Sequence, residues 1–155
     1  MFRYSVWYQL KDSNHEFSKL VKHYSKNNDN LLVFHPHITI RHTLSYQEGL
    51  SFAKLFKENY LLPKIRTLQT VEVSKTSVRN SNGKAVLFYA LEQPVVVNNE
   101  RIKGLHMSLA YKVNNAFTVA EMNNIKPYQG TFKPEDFEVA LYSCHNKIPA
   151  RWRRV

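Results

Sequence analysis

The chain has a single cysteine, Cys144, in 155 residues. A lone thiol excludes an internal disulfide and any zinc site built on several cysteines, and it agrees with a reducing compartment. Cys144 reads as a packing residue. Glycine is scarce too, with four in the chain, and no low-complexity stretch occurs, while hydrophobic residues make up 43%. That balance excludes a disordered or linker-dominated chain and fits one globular domain over residues 1–155. No apolar run approaches the length of a bilayer span, and Met1-Phe2-Arg3-Tyr4 leads straight into a strand pattern without a basic and apolar leader. The expectation is a soluble, intracellular, cytoplasmic monomer with no membrane contact. Acidic residues are the last shortage, 12 Asp and Glu against 22 Lys and Arg, for a net charge of +10. That surplus favours phosphate-rich partners over cationic ones.

What is present is a regular succession of short elements. Residues 2–10 alternate, with Phe2, Tyr4, Val6, Tyr8 and Leu10 on one face and Arg3, Ser5, Trp7 and Gln9 on the other, which predicts a strand. The capping-box pattern Ser13-Asn14-His15-Glu16, followed by Phe17, Leu20, Val21 and Tyr24 at helical spacing, predicts a helix over 14–27 that ends in the polar cluster Asn27-Asn28-Asp29-Asn30. Residues 32–41 read as a strand, and Ser45-Tyr46-Gln47-Glu48 opens a second helix that stops before Pro63. Residues 65–78 and 84–91 are strand-like and flank Asn82-Gly83, a strong hairpin signal. Pro94 to Asn98 is a short apolar piece leading through Gly104 into a strand around His106. Thr118 to Glu121 is a third capping box, opening a helix that ends before Pro127, and residues 137–144 and 151–155 read as strands. The predicted fold class is α+β, with two mostly antiparallel sheets and outer helices around a central cleft.

Two short stretches carry the chemistry. In Phe34-His35-Pro36-His37-Ile38-Thr39-Ile40 and in Leu105-His106-Met107-Ser108-Leu109, a histidine is followed two residues on by a hydroxyl, inside an apolar strand. Strand alternation puts His37 and Thr39 on one face and His106 and Ser108 on one face. A third copy, His23-Tyr24-Ser25, falls in the predicted first helix, where residues two apart point in different directions. A histidine gives or takes a proton at little cost near neutral pH, so a pair can serve as general base and general acid in one displacement at phosphorus. Hydroxyls beside them can hold the non-bridging phosphate oxygens as charge builds. The pair His35 and His37 suggests two metal ligands, but no carboxylate stands at a matching spacing in the second strand to complete the set.

These motifs, with Ser5-Val6-Trp7 in the first strand, Tyr111 after the second histidine and Trp152 in a last strand, resemble the two-histidine (2H) phosphoesterases. Within that superfamily the small 2′,3′-cyclic nucleotide phosphodiesterases are the most similar group. The resemblance implies a bilobed fold and metal-independent hydrolysis of nucleotide or RNA-derived phosphodiesters without a cofactor. It implies His37 and His106 as the acid and base pair, Thr39 and Ser108 as phosphate ligands, and Tyr111 as a residue holding the attacking water. On that analogy His106 is the base. Tyr111 departs from it, since strict alternation takes Tyr111 off the face of His106 unless the strand bends near Ala110. The stretch before His106 is also shorter than the full helix common in the family. Trimmed members resemble viral 2H enzymes that cut 2′-5′ oligoadenylates or cyclic oligonucleotide signals, and the Lys and Asn usage permits a virus-encoded origin.

Two further residues are candidates for substrate contact. Arg41 shares the face of His37 and Thr39 by alternation and would reach a phosphate or ribose, or simply extend into solvent. Trp7, on the more polar face of its strand, would stack a base or pack in the core. The cluster Arg151, Arg153 and Arg154 would guide RNA or form a solvated face. Three classes stay open: a phosphodiesterase of cyclic phosphates or 2′-5′ linkages, a nuclease of cyclic oligonucleotide immune signals, and an RNA-binding module without turnover. A structural protein with core histidines is disfavoured, because two buried polar pairs would each need partners.

Overall fold

A computed structural model describes residues 3–26, 34–59, 64–79, 82–144 and 153–155. In chain order its elements are β1 (Tyr4–Leu10), α1 (Glu16–Lys26), β2 (His37–Leu44), α2 (Tyr46–Asn59), β3 (Ile65–Thr67), β4 (Glu72–Arg79), β5 (Ala85–Val97), β6 (Glu100–Val113), α3 (Val119–Asn124), β7 (Thr131–Phe132), β8 (Phe137–Ser143) and β9 (Arg153–Arg154). The fold is mixed α+β with antiparallel strand pairing throughout the described residues. The cluster Asn27 to Asn30, Pro63, Arg151 and Trp152 lie outside the described residues.

Local chemistry explains most boundaries. The second and third capping boxes close as read: Ser45 and Glu48 exchange side-chain and backbone bonds at 3.0 and 3.1 Å, and Thr118 and Glu121 do so at 2.8 and 3.1 Å. The first does not. Asp12 accepts from the Asn14 N–H and His15 Nδ1 from the Phe17 N–H, so the helix starts two residues later than expected. Asn82-Gly83 lies in the connection between β4 and β5, with Gly83 at φ 78°. The apolar piece at Pro94 is not a separate element but the second half of β5. Pro94 sits at a register shift, where a strand tolerates a missing N–H, and Asn98 and Asn99, both at positive φ, turn the chain back into β6.

The strands form one sheet in the order β7, β3, β5, β6, β2, β1, β8, β9, with β4 also paired to β5. Two separate sheets were expected; instead the hydrogen bonding runs through a narrow seam, where β2 meets β6 at the single register pair Ile38 and Met107. Both of those side chains are fully buried. Truncating either to alanine would cost about 2–5 kcal/mol, so the seam is held by packing as much as by the ladder.

One face of this sheet carries the core. Val6, Tyr8 and Leu10 of β1, Ile38 of β2 and Met107 and Leu109 of β6 pack with Phe17 and Val21 of α1 and Phe56 of α2. Helix α2 closes on β8 at Gly49, where a Cβ would stand 2.7 Å from Leu141 Cδ1. The odd residues of β1 face the other way, where Trp7 packs with Ala140, Tyr142 and Cys144. Helices cover one side, and the opposite side is left for a cleft. Among the described residues no helix is long and apolar enough to cross a membrane.

Candidate functional site across the seam of the sheet

The pairing of Ile38 with Met107 decides which residues meet. Those two point into the core, so their neighbours His37, Thr39, His106 and Ser108 project together from the opposite face, across one strand spacing of roughly 5 Å. The two histidine motifs of the sequence are therefore side by side. A cavity of about 550 Å³ lies on this face, walled by Trp7, Thr39, Glu92, His106 and Tyr111 among others. His37 and Ser108, only 5% and 4% exposed, lie beneath its floor and not on its wall.

Two bulges revise what strict alternation predicts. Opposite Leu91 and Glu92, strand β6 supplies Ala110 and then Ser108, so Leu109 is an extra residue in the ladder. An inserted residue reverses the alternation beyond it. Tyr111 is thereby returned to the face of Ser108 and His106 and lines the cavity. Burial pushes the Tyr111 hydroxyl far above its ordinary pKa, partly offset by the neighbouring Ser108 hydroxyl, so the phenol keeps its proton. The second bulge acts in the other direction. Val6 faces Arg41 and Trp7 faces Thr39, which makes Ile40 the extra residue in β2.

Arg41 is thus turned out of the site. Its guanidinium lies 5.3 Å from the Phe52 ring of α2, on the helix side of the sheet, and Ile40 and His42 take its place on the cavity wall. The expectation that Arg41 binds substrate is corrected on that ground. Trp7 needs a correction of role. It lines the cavity by an edge, but its ring is 2% exposed and lies between His37 and Tyr142, with centroids 3.4 and 3.6 Å away and planes 5° and 16° from parallel. Both faces are covered, so Trp7 offers none to a base. His23, the third motif copy, is an exposed residue of α1.

The two histidines differ in environment. His37 Nδ1 bonds to the backbone carbonyl of His35; a carbonyl only accepts, so Nδ1 carries the hydrogen and Nε2 keeps its lone pair in the neutral ring. Its pKa is lowered to about 3, chiefly by desolvation on burial, with the carbonyl bond opposing the shift and the nearness of His106 and His35 adding to it. His106 is partly exposed, and its Nε2 is 3.3 Å from Glu92 Oε1. Ser74 Oγ donates to the same carboxylate oxygen at 2.7 Å, fixing its position. Ser108 Oγ is buried without a hydrogen bond of standard geometry among the described residues.

Glu92 is absent from the sequence-based candidates. Its signal is a carboxylate, beside Gln93, inside the mostly apolar run of β5 from Val86 to Val97, where a partly buried acid needs a partner. Also unforeseen on the cavity wall are Arg3 and Lys103. Among the described residues no cluster of three or more His, Cys, Asp or Glu side chains is arranged to hold a metal ion, so His35 and His37 find no third ligand there. No family model matches the chain and no curated protein is similar to it.

Proposed function

We propose that the protein is a phosphodiesterase that hydrolyses 2′,3′-cyclic phosphate or 2′-5′ phosphodiester linkages of RNA-derived nucleotides by two-histidine acid and base catalysis, with the bilobed 2H fold as its architecture. One observation carries the reading: His37 with Thr39 and His106 with Ser108 project from one face on either side of the seam, into and beneath a single cleft.

The environments support distinct roles. His37, neutral and with its lone pair on Nε2, is the base, and His106, whose Nε2 meets the Glu92 carboxylate at 3.3 Å, is the acid. This reverses the order drawn from family analogy. Water attacks phosphorus as His37 Nε2 takes its proton; the bond from phosphorus to the leaving ribose oxygen breaks as that oxygen takes a proton from His106. A phosphomonoester and an alcohol result, and exchange with solvent resets both rings. Thr39 Oγ1 and Ser108 Oγ donate to the non-bridging oxygens, the latter from a buried hydroxyl beside that of Tyr111. A low pKa makes His37 a weak base in the empty site, and the negative charge of a bound phosphate raises it toward the value the task requires. The small exposed edge of His37 obliges the phosphate to seat on the floor beside Thr39.

The test is product analysis on a panel of 2′,3′-cyclic nucleotides, 2′-5′ oligoadenylate and cyclic oligonucleotides in excess chelator. Turnover that survives chelator and disappears in His37→Ala and in His106→Ala supports the reading. Loss of activity on adding chelator, or full activity in either variant, overturns it. Salt-sensitive binding without any product would instead identify a nucleic-acid-binding module.

A further inference from the structure

Four consecutive residues of β6, Lys103, Gly104, Leu105 and His106, line the cavity. A regular pleated strand shows only alternate residues to one side, so this run requires a break in the ladder. The register supplies it: β5 advances two residues from Pro94 to Val96 while β6 spans five from His106 to Arg101, leaving three extra residues in β6. Gly104, at φ 82°, supplies the left-handed turn that such a loop needs. The bulge lifts Lys103 onto the cleft wall, exposed and without an ion pair to any described residue.

The position of that charge is set by the strands around it. Beyond the seam pair Ile38 and Met107, β2 and β6 run antiparallel, so the segment before His106 lies toward the far end of β2, beside His42 and Thr43. On the other flank Tyr4 pairs with Leu44, which brings Arg3, the residue before β1, to the same end of the cleft. Thr39 pairs with Trp7 and Leu44 with Tyr4, so with the bulged residues of β2 taken out the ladder advances roughly 10 Å from Thr39 to this end of the cleft. One phosphoryl group seated on Thr39 does not span that interval.

Resting on the phosphodiesterase reading above, we infer that Lys103 and Arg3 form a subsite for a second phosphate, so that the substrate is an oligonucleotide or a nucleotide bearing a phosphate besides the one that is cleaved. A mononucleoside cyclic phosphate fills only the histidine end of the cleft. A phosphate at the far end gains two cationic donors, one of them delivered by a loop whose flexible lysine stem can follow ligands of different length.

The experiment compares three substrates, adenosine 2′,3′-cyclic phosphate, its 5′-phosphorylated form and an adenylyl dinucleotide ending in the same cyclic phosphate, for the full chain and its Lys103→Ala, Lys103→Arg and Arg3→Ala variants. The full chain is expected to prefer the two substrates with a second phosphate at least tenfold in kcat/KM. Lys103→Ala and Arg3→Ala should each cut that preference several-fold, and Lys103→Arg should restore most of it. If Lys103→Ala slows all three substrates equally, Lys103 touches the scissile phosphate and the subsite is overturned; absence of preference in the full chain overturns it as well. A binding titration of the 5′-phosphorylated dinucleotide at several salt concentrations separates this inference from the catalytic one. Loss of Lys103 should lower the slope of log affinity against log salt by about 0.7. That change without turnover would leave the subsite standing and refute the hydrolytic reading, whereas turnover with an unchanged slope would do the reverse.

Discussion

Trp7 lies flat against His37, ring centroids 3.4 Å apart and planes 5° from parallel. An indole face attracts a cation, so the stack by itself would favour a charged imidazole by about 0.5–2 kcal/mol. Burial opposes it and wins, holding the pKa at about 3. The stack therefore orients a neutral ring.

A pH dependence of stability follows. The folded-state pKa of His37 is below the ordinary value of about 6.5, so the unfolded chain binds the extra proton between the two. This contribution is complete above about pH 6.5 and is lost as pH falls toward 3, at up to about 1.4 kcal/mol per pH unit. Urea midpoints should drop across that window, and His37→Asn should flatten the drop.

Ser108→Ala separates function from folding. Its Oγ is buried without a standard hydrogen bond among the described residues, so deleting it should leave the unfolding midpoint unchanged or slightly raised. Turnover should nevertheless fall by about a hundred- to a thousandfold if the hydroxyl serves the phosphate, in the range of losing one donor to a developing oxyanion. Thermal unfolding and single-turnover rates on the same preparation check both.

Glu92→Gln tests a positioning residue. Glu92 is to act only through His106, which it meets at 3.3 Å. The single change should slow turnover tenfold or more, yet add nothing in a chain that already carries His106→Gln. Additive losses in the double variant would show that Glu92 acts on something else.

Arg41→Ala and Thr39→Val should part company. Arg41 faces Phe52 and α2, so its loss should change kcat/KM less than twofold, whereas Thr39 lines the cleft and its loss should cost at least tenfold. Equal effects would contradict the bulge at Ile40.

By itself the sequence determined most of the elements and the two histidine and hydroxyl pairs, though it read β3 and β4 as one strand and did not show β7. These rest on local rules: side-chain periods of two and 3.6, and capping boxes whose partners are three residues apart. Where a local rule had a close competitor it failed, as when His15 took the place of Ser13 at the start of α1. Even a correct strand assignment did not settle which side chains face the cleft. One extra residue in a ladder exchanges the two faces, and whether it is accommodated depends on the partner strand. So Tyr111 came into the site, Arg41 left it, and Lys103 and Glu92 joined it through pairings invisible along one chain. The protonation of His37 was likewise a tertiary matter, because desolvation is set by what packs around a ring and not by the residues beside it in sequence.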